Sequence, residues 1–251
     1  MRDLSLRGLL EQLLQAFTQI DGRNLRSLRY LVTRPGSLTV AYLQGQRNAY
    51  LGPVPLFLIA NVLFFAFESL TGGRVFTTPL DAHLHTQPWS PLAGDLVARR
   101  LETMHSTLAV YGPVFNRAVA VNARSLIIVM ALSFVVAPSM LFYRSGRPLV
   151  AHAVFSLHLY AFLLLLFCVA NVIPAVDKWF GGPGLASDRM DHVISIALVI
   201  ACAAYLSVAV TKVYGARGLA RVLQVSTLTL AVVSIVLGYR FALLLFTLYT
   251  T

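Results

Sequence analysis

Apolar residues along the chain fall into five long runs, and the polar segments between them hold most of the charges. A run of about 20 apolar residues can cross a hydrocarbon core of about 30 Å as a helix. The pattern therefore predicts an all-α fold, a polytopic transmembrane helix bundle with five spans. The predicted spans are residues 53–70, 125–143, 152–174, 192–211 and 222–249.

Residues 1–52 show a different pattern, in which leucines recur at helical spacing among arginines. Residues 4–20 are predicted as one amphipathic helix. A second short helix follows it, with Leu25, Leu28, Leu31 and Val32 on one side, and a third covers Ser37 to Gln46. We expect this segment to form a collar of amphipathic helices at the cytoplasmic membrane surface. Residues 71–124, between the first two spans, are expected to form an external loop domain with a helix around Leu92 to Val110.

The composition supports lipid as the solvent of the spans. Of the 251 residues, 57% are hydrophobic and only 12% are charged, whereas soluble domains carry about 25% charged residues. The net charge of +10 comes mostly from arginines beside the apolar runs. That arrangement orients membrane helices, so we expect membrane lipids as partners and no nucleic acid.

The distribution of Lys and Arg predicts the topology. Twelve of these residues lie on the side of the N-terminal collar and seven on the other side. By the positive-inside rule, the N-terminus is cytoplasmic and the C-terminus lies outside.

Ionisable residues inside spans are costly and need a polar neighbour. Glu68 and Arg240 lie at the same depth of two parallel spans, roughly 20–25 Å from the cytoplasmic face. We therefore expect an ion pair or a shared polar pocket, with Asn171 as a further member; the alternative is that each reaches the outer interface separately. His158 is interpreted as a buried neutral histidine bonded to a neighbouring helix, or alternatively as a proton relay. Asn61 is expected to hydrogen-bond between helices.

The collar holds the most distinctive local motif, Arg34-Pro35-Gly36-x5-Tyr42-Leu43-x-Gly45-x-Arg47-x2-Tyr50-x2-Pro53. Its two arginines would face phosphates at the headgroup level. Arg23, Arg26 and Arg29 are spaced three apart and share one helix surface. These arginines predict either an anchoring collar or a specific site for an anionic lipid or a phosphorylated ligand.

Three histidines in residues 71–124 are weak candidates for a metal site. His83 and His85 alternate with Asp81, and His105 follows later. Histidine and carboxylate are zinc and copper ligands, but no HExxH motif or cysteine partner accompanies them. We therefore interpret them as loop residues and expect no metal, no cofactor and no catalytic residue.

The collar motif, the run Asn61-Val-Leu-Phe-Phe65, the segment His152-Ala-Val-Phe-Ser-Leu-His158 and Tyr239-Arg240-Phe241 resemble the domain-of-unknown-function 3667 family. The resemblance implies a multi-pass protein of the bacterial inner membrane and carries no established activity. Relatives often begin with a Cys-x-x-Cys segment that resembles a zinc ribbon. Such cysteines do not occur in this sequence, so no metal-ribbon role is expected.

The leading hypothesis is a non-enzymatic inner-membrane accessory or scaffold protein that binds lipid headgroups or a partner protein. Five spans are few for a monomeric carrier, so a protein partner or a homo-oligomer is expected. One alternative is a small-molecule or ion transporter that uses the intramembrane polar residues. The other is a metal-dependent membrane enzyme that uses the three histidines.

Overall fold

A computed structural model describes residues 22–46, 48–71, 75–181 and 188–251. These residues are mostly helical, and no strand occurs among them. The helices are α1 (Gly22–Thr33), α2 (Ser37–Leu43), α3 (Pro53–Thr71), α4 (Leu80–His85), α5 (Ser90–Thr103), α6 (Leu108–Phe134), α7 (Val136–Leu141), α8 (Leu149–Trp179), α9 (Asp188–Tyr214) and α10 (Gly218–Thr250). The predicted helix over residues 4–20, and Arg47 of the collar motif, lie outside the described residues.

Five described segments are long and apolar enough to cross a membrane. They are Pro53–Thr71, Leu108–Leu141, Leu149–Asp177, Met190–Tyr214 and Gly218–Thr250. The all-α fold with five spans is therefore confirmed, and these helices fit an integral membrane protein.

Helix α8 lies at the centre of the bundle. It packs along α3 on one side and against α6 and α9 on others, while α10 packs against α6 and α9. Its buried side chains are large, among them Phe155, Leu159, Tyr160 and Leu163. The first half of α8, residues 151–164, suits this central position because it is mostly apolar and neighbouring helices cover most of its surface.

The second long helix begins at Leu108, within the segment predicted as an external loop. The predicted span begins at residue 125, because Arg124 is the last charge before the uncharged apolar run. In the structure Arg117 and Arg124 lie on exposed positions of α6, so the helix continues past the charges. The helix expected around residues 92–110 is interrupted: α5 ends at Thr103, and His105 adopts a left-handed φ of 48°.

Successive long helices run in opposite directions and give the bundle two ends. The basic end consists of α1, α2 and the connections 142–148 and 215–217. There, the Lys212 ammonium donates to the Ser37 hydroxyl at 3.0 Å. The capped end consists of residues 75–107, the first part of α6 and the last turns of α10. There, the hydroxyls of Tyr111 and Thr251 are hydrogen-bonded at 2.6 Å.

Charged side chains on three helices mark one level near the capped end. The Arg124 guanidinium carbon lies 5.9 Å from the ring centroid of Phe65, less than one turn from Glu68 on α3. The Tyr239 hydroxyl, next to Arg240 on α10, donates to the Ala123 carbonyl at 2.8 Å. Glu68, Arg124 and Arg240 therefore lie at similar depth. The part of α6 before this level, about 24 Å long at 1.5 Å per residue, packs against α4 in the capped end.

Candidate functional site

Helix α1 is held on the bundle by one buried side. Leu31 and Ser27 are buried there. The Ser27 hydroxyl donates to the Arg23 carbonyl at 2.8 Å and accepts from the Leu51 N–H at 2.9 Å. It thereby ties α1 to the residue pair that precedes α3. Because this backbone N–H is buried, it needs such a partner.

The opposite side of α1 exposes apolar and basic residues together. Leu25 is 62% exposed and Val32 49% exposed, and the side chains of Arg26 and Arg29 are exposed beside them. The sequence predicts all four leucine and valine residues of α1 on one side of the helix. In the structure only Leu28 and Leu31 pack on the bundle, and the other two are exposed. Exposed leucine and valine flanked by arginines are typical of a helix that lies in a lipid interface.

Arg34 and two tyrosines form a stack at the turn after α1. The Arg34 guanidinium carbon lies 4.7 Å from the Tyr30 ring centroid. The rings of Tyr30 and Tyr50 are 5.2 Å apart between centroids. A cation over a ring face is attracted by the ring quadrupole. The stack fixes the guanidinium at the exposed surface of the basic end.

Gly36 allows α2 to lie directly on α9. Its φ is +77°, and a Cβ built there would lie 2.9 Å from the Ala209 Cα and 3.0 Å from its carbonyl oxygen. Beside this contact, α2 and α9 enclose a surface cavity of about 310 Å³ that includes Ser37, Gln44 and Lys212. The sequence did not identify Lys212 as a collar contact; only its place in a basic connector was visible.

His158 lies at the basic-end side of the bundle, under α2. Its Nδ1 and the Thr39 hydroxyl are 2.9 Å apart in a buried hydrogen bond. One and a half turns away, Nδ1 of His152 and the Tyr214 hydroxyl are 2.8 Å apart. His158 is thus bonded to the collar helix and does not join Glu68 and Arg240. Thr39 was missed from the sequence, since a threonine in a short apolar helix gives no signal.

Glu68 and Arg240 meet on the two sides of one non-helical segment. Glu68 is buried, and its Oε1 accepts from the Phe76 N–H and the Thr77 hydroxyl, both at 3.4 Å. The Arg240 Nε donates to the Val75 carbonyl at 3.0 Å. The contacts of the described residues include no direct ion pair between the two side chains.

The two asparagines of the expected polar group contribute less. The Asn171 side chain is buried and donates to the Phe167 carbonyl of its own helix at 2.9 Å. Phe167 packs edge to face on Phe76, with 5.5 Å between centroids, so Asn171 lies close to the segment that Glu68 holds. Asn61 is half-buried on α3, about two turns below Glu68. The structure thus brings Glu68 and Arg240 to one segment, and His158 and Asn61 lie elsewhere.

The three histidines of the capped end do not converge. His83 is buried, and its Nδ1 accepts from the Trp89 indole N–H at 3.2 Å. His85 is exposed beside Asp81, with 3.1 Å between Nδ1 and the carboxylate. Within the described residues, no group of three His, Cys, Asp or Glu residues is arranged to hold a metal ion. Burial, and then the charge of Arg240, lower the pKa of His83 to about 4.

The comparisons with known proteins concern the collar and the first span. No curated protein and no solved structure matches the chain. A family model described as "Protein of unknown function (DUF3667)" matches residues 21–65, a stretch that includes α1, α2 and most of α3. The chain therefore resembles this family over its collar and first span.

Proposed function

We propose that the chain is a non-enzymatic accessory protein of a bacterial inner membrane whose basic end binds anionic lipid headgroups. The exposed side of α1 carries the argument, because it presents Leu25 and Val32 to the acyl chains and Arg26 and Arg29 to phosphates. The contacts of Ser27 and Gly36 hold this side at a fixed place on the bundle.

The charge at the basic end supports an anionic surface as the ligand. Residues 22–52, 141–152 and 211–222 contain no Asp or Glu. The exposed cations there are Arg23, Arg26, Arg29, Arg34, Arg144, Arg147, Lys212, Arg217 and Arg221. Each Lys or Arg close to an anionic membrane contributes about 1 kcal/mol of attraction. The same imbalance favours a cytoplasmic basic end, and hence an external C-terminus.

The distribution of buried polar groups favours this function over transport. His158 and Thr39 lie toward the basic end, and Glu68 and Arg240 lie toward the capped end. Rings pack between these two levels, among them Phe64 against Phe167 with 6.3 Å between centroids. A carrier site is expected near the midplane, at a helix interruption. The described polar residues instead tie helices and a loop together.

Hydrogen exchange of the full chain in lipid nanodiscs tests the proposal. We expect the α1 amides to exchange more slowly in discs with phosphatidylglycerol than in discs of phosphatidylcholine alone. The double variant Arg26→Gln/Arg29→Gln should lose this difference. Arg117→Gln, an exposed change at the capped end, is the matched control and should keep it. Equal α1 exchange in both lipids would contradict the proposal.

A further inference from the structure

The junction of α6 and α7 opens a groove on the lipid-facing side of the bundle. Pro138 has no N–H, so the Phe134 carbonyl loses its partner four residues ahead. Next to it, the Val135 N–H bonds to the Leu132 carbonyl, three residues back, at 3.1 Å, so the regular helical bonding is interrupted there. The groove is shallow and open, with a volume of about 720 Å³, and is lined mostly by apolar side chains, including Leu132, Val136, Met140 and Leu149.

A second, polar cavity adjoins this groove at the basic end. It encloses about 440 Å³ and shares Met140 and Tyr143 with the groove. Its polar lining includes Arg144, Ser145 and Gln224. An apolar groove along the spans thus continues into a polar cavity at the basic end.

The polar cavity holds hydrogen-bonding groups that the described residues leave unused. Arg144 is exposed and forms no ion pair with any described side chain. The Gln224 Oε1 is buried and has no hydrogen-bond partner within the described chain. A guanidinium binds a phosphate by charge-assisted hydrogen bonds, and an amide oxygen accepts from a hydroxyl. A buried acceptor without a donor is unfavourable.

We infer that this double cavity is a discrete binding site for one phospholipid with a hydroxylated anionic headgroup. The phosphate lies against Arg144, a headgroup hydroxyl donates to the Gln224 amide oxygen after that side chain rotates toward the cavity, and one acyl chain lies in the groove beside Val136. The site uses α6, α7, the connection 142–148, the start of α8 and Gln224 of α10, so it includes no residue of α1 or the collar. It differs from the general attraction of the basic end because it selects one headgroup chemistry.

Native mass spectrometry of the full chain tests the site, with phosphatidylglycerol, phosphatidylethanolamine and phosphatidylcholine offered in turn at equal concentration. We expect one phosphatidylglycerol to be retained about tenfold more tightly than either other lipid. Arg144→Gln should remove that preference. Arg117→Gln, an exposed arginine on α6 at the capped end that lines neither cavity, should leave it unchanged.

The groove is tested separately by a substitution that fills it with a larger side chain. Ser139→Phe should displace the retained lipid, whereas Val129→Phe, at an exposed α6 position outside the groove, should not. Soluble glycerol phosphate should not compete at concentrations where phosphatidylglycerol is retained, because it lacks the acyl chain.

Three outcomes would overturn the inference. They are equal retention of the three lipids, equal loss of phosphatidylglycerol in the two arginine variants, and displacement by glycerol phosphate. None of them bears on α1, whose hydrogen exchange reports the collar alone, so the two proposals fail independently.

Discussion

The two ends of the bundle bury polar side chains for different purposes. At the basic end the bonds join side chains of different helices, such as Thr39 with His158 and His152 with Tyr214. At the capped end, Glu68 and Arg240 bond mainly to the backbone of a non-helical segment, at Phe76 and Val75.

The difference follows from what each end contains. The described part of the collar is mostly helical, so most of its backbone N–H and C=O groups bond within α1 and α2. Its side chains then need only to fit the surface of the bundle. Residues 75–79 are not helical, so their N–H and C=O groups need partners from elsewhere. Charged side chains make the stronger hydrogen bonds, which explains why buried charges occur at the end that holds irregular backbone. The predictions below test this division in order of expected effect.

Gly36→Ala should have the largest effect and should act on the basic end. The new methyl would combine a φ of +77° with a contact of 2.9 Å to the backbone of Ala209, and backbone cannot move aside as a side chain can. We expect a loss of roughly 3 kcal/mol, measured by thermal unfolding in detergent. Limited proteolysis should show cleavage of the collar before the bundle.

Gly45→Ala is the matched control for that variant. Gly45 has a similar φ of +80°, but a Cβ there meets nothing within 4 Å. It should therefore cost only the backbone strain, roughly 1 kcal/mol. Equal losses for the two variants would show that α2 does not need its close contact with α9.

The capped end should weaken as the pH falls from about 6.5 to about 4. His83 has a folded-state pKa of about 4, lowered by burial and by Arg240, while the unfolded chain titrates near 6.5. Between these values the unfolded state binds more protons, so stability present above 6.5 is lost on acidification. We expect a loss of roughly 1–2 kcal/mol at pH 5.

Fluorescence of Trp89 can report this loss if Trp179, the other tryptophan in the sequence, is replaced by Phe. In the same background His83→Gln should flatten the pH dependence, because a glutamine oxygen can accept the Trp89 N–H bond without titrating. An unchanged pH slope in that variant would assign the effect to other groups.

The number and approximate positions of the membrane-spanning helices were predictable from the sequence. The hydrogen-bond partners of individual side chains were not. The five apolar runs gave the spans, because lipid imposes one length on every crossing helix. The start of α6 at Leu108 was missed, because a charge at the membrane boundary does not end a helix. Glu68 and Arg240 could be predicted at the same depth, because both lie on parallel helices whose rise per residue is known.

The remaining contacts depend on how each helix is rotated about its axis and how closely two helices approach. The depth of a residue along its span determines neither of these. His158 is predicted to be buried and bonded to a neighbouring helix, but the sequence does not identify its partner, Thr39 of the collar, at the opposite end from Glu68. The segment around Val75 that separates Glu68 from Arg240 belongs to a loop without periodicity. Likewise, helical spacing grouped Leu25 with Leu31, and only the packing of α1 separated them.

Thr39→Val should weaken the contact between collar and bundle by a moderate amount. Valine keeps the shape of threonine but removes the hydroxyl bonded to His158, which leaves a buried ring nitrogen without its partner. We expect a loss of roughly 1–1.5 kcal/mol. Thr33→Val removes an exposed hydroxyl that bonds within α1 and should change the free energy of unfolding by less than about 0.5 kcal/mol.

The smallest effect expected is the coupling between Glu68 and Arg240. If each side chain holds its own part of the 75–77 segment, as the separate bonds to Phe76 and Val75 indicate, the two should act almost independently. A double-mutant cycle with Glu68→Gln and Arg240→Gln should then give an interaction energy below about 1 kcal/mol. A value of about 3 kcal/mol would instead require a buried ion pair. In that case charge pairing, rather than support of irregular backbone, would explain the capped end, and the contrast with the basic end would disappear.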